Sequence, residues 1–203
     1  MSKINTISDL RALYGYAKGR AADKVIYKLE KHSKQFISLS PFCLMATFNI
    51  AGSADVSPKG DAPGFVQMPN DKTLLIPDRP GNNRIDGLCN IIGTPSIGLL
   101  FLIPGVMETL RVNGTAEISI DETLLSRFEV QGKLPKSVII VTIEEIFLHC
   151  AKSIMRSSLW DNTAQIDRKD LPTISEMIND QIGSKEAIET NADMIARYKK
   201  SLY

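Results

Sequence analysis

The sequence contains few of the residues that bind metals or form disulfides. Among its 203 residues are two histidines and three cysteines, Cys43, Cys89 and Cys150. No pair of these cysteines has the spacing of a zinc site, and an odd number of scattered thiols does not form a disulfide framework. All three lie in apolar stretches, so we expect buried, free thiols in a reducing compartment and no metal centre.

The chain also lacks a long apolar run and an excess of charge. No segment approaches the roughly 18 continuous apolar residues of a transmembrane helix, and there is no signal-peptide core. Lys and Arg number 24 against 23 Asp and Glu, and aromatic residues make up 6%. These values argue against a nucleic-acid-binding surface. We therefore expect a cytoplasmic protein that binds neither a membrane nor nucleic acid.

Common catalytic signatures are absent as well. The sequence has no P-loop, no G-x-G-x-x-G, no G-x-S-x-G and no H-E-x-x-H. A nucleophilic triad cannot be assembled from it either. These absences leave no side chain that we assign as catalytic.

Hydrophobic periodicity predicts helices at both ends of a single domain, residues 1–203. Apolar residues at helical spacing predict helices over residues 9–20 and 22–38, within an N-terminal helical part of about residues 5–40. A C-terminal helical extension is predicted from about 171 to 203, with its last helix beginning at Ser184.

The middle of the chain reads as short strands with two short helices between them. Asn82 or Asn83 is the predicted N-cap of one helix and Asp121 that of the other. A bulge or bend is predicted at Asn113-Gly114. The strands are predicted at residues 42–49, 54–57, 64–67, 72–76, 96–103, 108–120 and 137–151.

Short connections between sequential strands favour antiparallel pairing, and closure into a barrel would remove the exposed edges. The predicted fold class is therefore mainly β with flanking helices.

Residues 76–85 form the most unusual segment. They place two prolines, a glycine, two asparagines and two arginines between a predicted strand and a predicted helix. The free N–H groups at the start of such a helix, together with Arg84, favour a bound phosphate. A rigid capped turn with solvated arginines fits this segment equally well.

The segment from Ser57 to Gly64 also carries a cation where a strand opens into a stiff loop. Lys59 suits contact with a phosphate or with the polar edge of a ring, although a solvated hairpin lysine is the simpler interpretation by itself. Two rigid cationic loops in one small barrel favour an anionic ligand.

A third segment contains His149, Lys152, Arg156 and the only tryptophan, Trp160. An aromatic residue next to cations, at the end of a long strand, suits a flat heteroaromatic ligand. The alternative is that Trp160 plugs the end of the barrel and that His149 is a core residue, and for His149 singly this alternative is favoured.

Across these segments the chain resembles the pyridoxamine 5'-phosphate oxidase-like flavoproteins, and within them a subgroup described as FMN-dependent enzymes. The resemblance covers roughly residues 30–165 in order. The matching stretches read ADVSPKGDAPG (54–64), IPDRPGNNR (76–84), GLLFLIPG (98–105), ETLRVNG (108–114) and the segment from 149 to 160.

The resemblance implies an antiparallel split β-barrel that forms a homodimer, with FMN bound at the subunit interface. The strand ending in Lys59 and the following strand and loop would contact the flavin ring and phosphate. The strand carrying Glu108 would reach the flavin of the partner subunit, and residues 149–160 would close over the ring. The implied cofactor-binding residues are Asp55, Val56, Ser57, Pro58, Lys59, Gly60, Ile76, Pro77, Asp78, Arg79, Asn82, Asn83, Arg84, Glu108, Thr109, Arg111, His149, Lys152, Arg156 and Trp160.

The chain departs from true pyridoxamine 5'-phosphate oxidases at several positions. Asp55 stands where the family has a basic residue, and Asn82-Asn83-Arg84 replaces its phosphate-binding Arg-Lys pair. The family's substrate-binding Tyr, Arg and Ser have no match in residues 128–137. Synthesis of pyridoxal phosphate is therefore not expected.

The implied activity is hydride or electron transfer through FMN, with NAD(P)H or another small molecule as electron donor. Backbone N–H groups of residues 57–60 or 76–79 would bond the ring edge, and Lys152 or Arg156 would stabilise the reduced flavin. A carrier or sensor of FMN without turnover is the alternative, and a barrel that binds haem or a deazaflavin is the third.

Overall fold

The structure, a computed structural model, describes residues 3–203. At its centre is a sheet of seven strands: β1 (Phe42–Phe48), β2 (Ala54–Gly60), β3 (Gln67–Asn70), β4 (Thr73–Asp78), β5 (Ser96–Leu102), β6 (Thr109–Ser119) and β7 (Ser137–His149). All neighbouring strands pair antiparallel, in the order β2-β1-β5-β6-β7-β4-β3.

Helices precede, interrupt and follow the strands. Within residues 3–203, no helix is both long and apolar enough to cross a membrane. The α-helices are α1 (Ile7–Tyr14), α2 (Arg20–Asp23), α3 (Lys31–Leu39), α4 (Asp86–Gly93), α5 (Glu122–Ser126), α6 (Lys152–Ser157), α7 (Ile174–Ile182) and α8 (Asn191–Lys199).

The sheet curls until β2, at one edge, faces the end of β4 across a gap. Strand β2 is one edge of the sheet and β3 is the other. Across the gap, the Lys59 Nζ atom at the end of β2 donates to the Asp78 Oδ1 atom at the end of β4 over 2.7 Å. Side chains, rather than a backbone ladder, join β2 to β4. The predicted antiparallel split barrel with flanking helices is confirmed.

The core fills the inner face of the curled sheet with alternate side chains of each strand. Met45 on β1 and Phe101 on β5 are almost completely buried there. Helices α3 and α4 add Ile37 and Ile91 to the same cluster. Because protein interiors are close-packed, these contacts fix both helices against the barrel. The start of α4 is thereby held next to β2.

Strand β2 continues through Gly60, three residues beyond its predicted end. The Asp61 N–H donates to the Pro41 carbonyl, so the odd-numbered residues of β2 turn their backbone groups towards β1. Pro58, which has no N–H to donate, is even-numbered and faces the open edge, where proline is tolerated. The proline therefore does not end the strand.

The predicted helix over residues 22–38 is wrong. Helix α2 ends at Asp23 and α3 begins at Lys31. Between them, Ile26 exchanges two backbone hydrogen bonds with Ile146, with N···O distances of 2.9 and 2.7 Å. This bridge covers β7 beyond the start of β4, where the backbone groups of β7 would otherwise be unpaired. Pairing with the sheet thus outweighs the helical spacing of the apolar side chains.

Several other boundaries also differ from prediction. Helix α4 has Ile85 as N-cap, so neither Asn82 nor Asn83 caps it. The last helix begins at Asn191 rather than Ser184, because Thr190 caps it through the Asp193 N–H. Three smaller differences are that α1 spans Ile7–Tyr14 and stops at Gly15, that β3 lies at Gln67–Asn70 rather than 64–67, and that α6 follows β7 in a segment for which no element was predicted.

The cysteine prediction holds for one residue of three. Cys43 is buried, as expected, whereas Cys89 and Cys150 are exposed. Cys89 lies on the solvent side of α4, and Cys150 follows the end of β7, so an apolar neighbourhood in sequence did not imply burial. Burial raises the pKa of the Cys43 thiol to about 12. This thiol is therefore protonated at neutral pH.

The predicted bulge at Asn113-Gly114 is confirmed, since the register between β6 and β7 shifts there. A Cβ atom on Gly114 would lie 2.0 Å from the Thr142 carbonyl oxygen. Glycine is required because the two backbones approach each other too closely for any side chain.

We expect the Gly114→Ala substitution to destabilise the protein by about 3 kcal/mol or more, because the β6 and β7 backbones must separate to admit a methyl group. Denaturant unfolding followed by circular dichroism measures this loss. Gly93→Ala is the matched control: a Cβ there meets nothing within 4 Å, so its stability should change by no more than about 1 kcal/mol. Equal stabilities of the two variants would contradict the close approach.

Candidate ligand-binding site

A cavity of about 740 Å³ opens between β2, the end of β4 and the start of α4. Its volume falls within the range of small-molecule sites, roughly 300–1,000 Å³. The walls are formed by residues 55–59, 78–79, 81–88 and 136–137, with Met45 behind them.

Strand β2 presents polar side chains to this cavity at alternate positions. Asp55, Ser57 and Lys59 are partly buried, whereas the intervening residues are exposed. Because strand side chains alternate between faces, these three line one wall. The even-numbered residues turn their backbone groups to the open edge of the sheet, so the Val56 N–H and carbonyl face away from β1 and are available to a ligand.

The loop before α4 forms the opposite wall. Asn83 has a φ of 60°, a left-handed conformation that asparagine adopts more readily than most residues. The Arg84 N–H donates to Asn82 Oδ1 over 3.0 Å, which tightens the turn. Helix α4 then begins with no side-chain cap on Ile85. The first N–H groups of α4 lie in the cavity wall and have no side-chain cap, so they can donate to a ligand.

Gly87 lets this helix end approach β2 closely. A Cβ atom at that position would lie 3.1 Å from Met45 Cε and 3.2 Å from Asp55 Oδ2. The Asp55 carboxylate is therefore next to the start of α4, where the helix dipole favours a negative charge.

Four cations line the cavity: Lys59, Arg79, Arg84 and Lys136. Arg84 is 80% exposed and contacts Asp86 over 2.6 Å. The hydrogen bond with Asp86 raises the pKa of the Arg84 guanidinium. The Lys136 Nζ atom donates to Asn83 Oδ1, a neutral group, over 2.8 Å. Against the three aspartates of the wall, 55, 78 and 86, the four cations leave a formal excess of one positive charge.

A smaller cavity of about 160 Å³ adjoins this site within the gap of the barrel. Lys59, Asp78 and Arg79 line both cavities. Arg79 forms an ion pair with Asp61, with nitrogen and oxygen 3.0 Å apart. Burial by itself would raise the pKa of Asp61, but hydrogen bonds from Tyr203, Ala62 and Arg79 outweigh it and lower that pKa.

A second polar cluster lies on the outer face of the same sheet. Arg111 on β6 is paired across the strands with Phe147, and Thr109 with His149. The guanidinium carbon of Arg111 is 5.2 Å from the centre of the Phe147 ring, and Lys24 Nζ is 5.4 Å from it. Burial lowers the pKa of His149, and the positive charges of Arg111 and Lys24 lower it further. Among residues 3–203, the buried Nε2 atom of His149 has no hydrogen-bond partner.

The remaining predicted residues after β7 lie next to this outer cluster in sequence. Lys152 and Arg156 are exposed on α6. The Trp160 Nε1–H donates to the Val106 carbonyl over 2.8 Å. Trp160 thereby anchors the segment after α6 to the turn between β5 and β6.

The structure brings about half of the predicted site residues together within one chain. Ile76 is completely buried in the core and lines neither cavity. Gly60 and Pro77 line the smaller cavity. The main cavity gathers Asp55, Val56, Ser57, Pro58, Lys59, Asp78, Arg79, Asn82, Asn83 and Arg84. The other predicted residues outside both cavities are Glu108, Thr109, Arg111, His149, Lys152, Arg156 and Trp160.

Sequence reasoning missed Lys136 and Ser137. They immediately precede and begin β7, and Ser137 is paired with Asp78 of β4. A basic residue before a predicted strand was a signal, but only the pairing of β4 with β7 brings it to the cavity. Ligand binding by any of these residues stays a prediction.

The family model of pyridoxamine 5'-phosphate oxidase matches residues 29–150. This match spans α3 through β7 and includes the whole lining of the main cavity. Because it covers more than half of the 203 residues, the chain belongs to the pyridoxamine 5'-phosphate oxidase family. No curated protein matches the sequence.

Several solved structures match part of the chain. HupZ from Group A Streptococcus is 25% identical with a TM-score of 0.48, covering 59% of this chain and 93% of its own. A candidate pyridoxamine 5'-phosphate oxidase from Lactobacillus delbrueckii is 21% identical with a TM-score of 0.47, covering 60% and 95%. An FMN-binding protein from Syntrophomonas wolfei is 14% identical with a TM-score of 0.40, covering 58% and 88%. These similarities carry no information about the ligand of this chain.

We expect Asp61→Asn to make stability less sensitive to acid. Because the pKa of Asp61 is lowered on folding, its carboxylate stabilises the fold above its unfolded pKa of about 3.9, and this contribution is lost as the pH falls through the folded pKa. Urea unfolding at several pH values between about 6 and 2.5 gives the slope of the free energy of unfolding against pH. Asp170→Asn, at an exposed position, should keep the wild-type slope. A wild-type slope in Asp61→Asn would contradict the lowered pKa of Asp61 in the folded protein.

Proposed function

We propose that this protein binds FMN in the main cavity and acts as an FMN-dependent oxidoreductase. The observation that carries the proposal is the cavity itself. The segments that the family resemblance assigns to flavin and phosphate, residues 55–59 and 78–84, form two facing walls of one space of about 740 Å³. They are separate in sequence, and only the curl of the sheet brings them together.

The residues present fit a phosphate group. Arg84 is a largely exposed cation, and Lys136 contacts only a neutral amide among its hydrogen-bond partners in the described chain. The uncapped start of α4 adds N–H donors to the same wall. Asp55 would repel a phosphate, so the Arg84–Lys136 side of the cavity is the proposed phosphate position.

The flavin ring would then lie along β2. The outward-facing backbone of Val56 offers a donor and an acceptor to the polar edge of a ring, and Lys59 adds a cation held by Asp78. When bound, FMN supplies hydride or single-electron transfer. The protein binds and orients it, and no side chain is assigned as an acid or base.

NADPH or NADH is the proposed electron donor. Mixing either donor with flavin-loaded protein in a stopped-flow instrument distinguishes an oxidoreductase from a carrier or sensor of FMN. Rapid bleaching of the flavin supports an oxidoreductase, whereas a bound flavin that neither donor reduces supports a carrier or sensor.

The outer polar cluster favours a homodimer as the functional unit. The outer face of β4 and β7 is covered by α5 and the residues that follow it: Leu75 and Val138 cluster with Phe128, and Leu124 and Leu125 of α5 pack against them. On the outer face of β1 and β5, by contrast, Phe42 and Phe48 are 37% and 40% exposed. A second copy packed there would bury this apolar surface, which is continuous with Arg111 and His149. In this arrangement the outer cluster of one copy completes the cavity of the other.

Replacing Arg84 by Ala should weaken FMN binding by about tenfold or more, because charge-assisted hydrogen bonds to the phosphate are lost. Riboflavin, which lacks the phosphate, should bind both proteins equally. Fluorescence titration measures both affinities. Arg20→Ala, at an exposed arginine outside the cavity, is the control. Undiminished FMN affinity in Arg84→Ala would remove this residue from the proposed site.

The Leu100→Glu substitution should dissociate the dimer and reduce the amount of bound flavin. Leu100 lies at the centre of the outer face, between Leu44 and Arg111. A carboxylate there would lose its hydration in the interface, and an ion pair with the neighbouring Arg111 would not offset that cost. Analytical ultracentrifugation and the ratio of flavin to protein absorbance report the two effects. Ile120→Glu, at a residue 76% exposed beyond β6, should leave both unchanged. A monomeric wild type, or an intact dimer in Leu100→Glu, would exclude this interface.

A further inference from the structure

Tyr203 packs against Asp61 and Arg79, two residues that line the gap of the barrel. Tyr203 lies beyond residues 29–150, which the family model matches. Its hydroxyl donates to Asp61 Oδ1 over 2.6 Å, and the Lys133 ammonium donates to its carbonyl oxygen. The side chain therefore bridges from the C-terminal extension to the loop that follows β2.

Tyr203 and Arg79 share one carboxylate. The Tyr203 hydroxyl contacts the Oδ1 atom of Asp61, while Nε of Arg79 donates to Oδ2 over 3.1 Å. The guanidinium carbon of Arg79 also lies 5.1 Å from the centre of the Tyr203 ring. The guanidinium thus lies over the face of the Tyr203 ring, in a cation–π contact.

The other partners of Arg79 restrain the rest of its guanidinium. Its NH1 group donates to the Phe128 carbonyl over 2.7 Å. The side chain of Arg79 is 16% exposed and that of Asp61 is 7% exposed. A cation in such a shielded place acts on its surroundings more strongly than a solvated one, because water screens it less.

Arg79 is also the link between this network and the proposed ligand. It lines the main cavity as well as the smaller one in the gap. Removing the Tyr203 ring would open the guanidinium to water, weaken its field in the main cavity and leave its side chain freer to move.

We infer that Tyr203 is a positioning residue, which acts through Arg79 to fix the position and field of that cation in the wall of the ligand cavity. The inference rests on the proposed function only for the identity of the ligand. It adds a residue from outside the family-matched segment to the site and couples ligand affinity to docking of the tail.

The first measurement needs no ligand. In NMR spectra of protein with ¹⁵N-labelled arginine side chains, the Nε–H signal of Arg79 is assigned as the signal that is missing from the Arg79→Lys variant. Tyr203→Ala should accelerate exchange of this hydrogen with water by about tenfold or more, since ring and carboxylate partner are both disturbed. Tyr203→Phe, which keeps the ring, should have a smaller effect, and Leu202→Ala none. Unchanged exchange in Tyr203→Ala would overturn the inference.

The second measurement is the FMN affinity of the same variants. Tyr203→Ala should weaken binding by about fivefold, and the double variant with Arg79→Ala should bind no more weakly than Arg79→Ala alone, because both act through one group. Additive losses, or wild-type affinity in Tyr203→Ala, would overturn the coupling to the ligand. If the wild type binds no FMN, the proposed function fails, and the exchange measurement alone decides whether Tyr203 positions Arg79.

Discussion

The contact between Lys59 and Asp78 occupies the place where a closed barrel would have a backbone ladder. Strands β2 and β4 are far apart in the order of the sheet, yet side chains at their ends meet, with Lys59 Nζ 2.7 Å from Asp78 Oδ1. Because no ladder seals the gap, polar side chains can line it. The main cavity and its smaller neighbour both use this gap, so the opening in the barrel and the candidate site have the same structural cause.

A strand has two faces, and this constraint divides the predicted site residues into two groups. Those on β2 and the loop before α4 surround the cavity of their own chain, whereas Arg111 and His149 point outward. One copy cannot bring both groups around one ligand. The exposed apolar surface of β1 and β5 next to the outer group offers the physical means by which a second copy could do so.

The sequence allowed the strands, the bulge and the cationic loops to be predicted because local patterns specify them. Short, nearly continuous apolar runs marked β1 and β5, and Asn113-Gly114 marked the bulge. Predictions failed where distant pairing decided the outcome. Ile26 has helical neighbours in sequence but pairs with Ile146, and Lys136 reaches the cavity only because β7 lies beside β4. No local pattern contains that information.

The bulge opposite Gly114 has a consequence for the whole of β7. Asn113 is paired with Glu145, but Gly114 is paired with Ile143, so Glu144 is an extra residue. Before it, the odd-numbered Val141 and Ile143 point into the core, and after it the even-numbered Ile146 does. This single insertion inverts the parity of the strand. It is the reason why Phe147 and His149 are presented to the surroundings instead of being enclosed in the barrel.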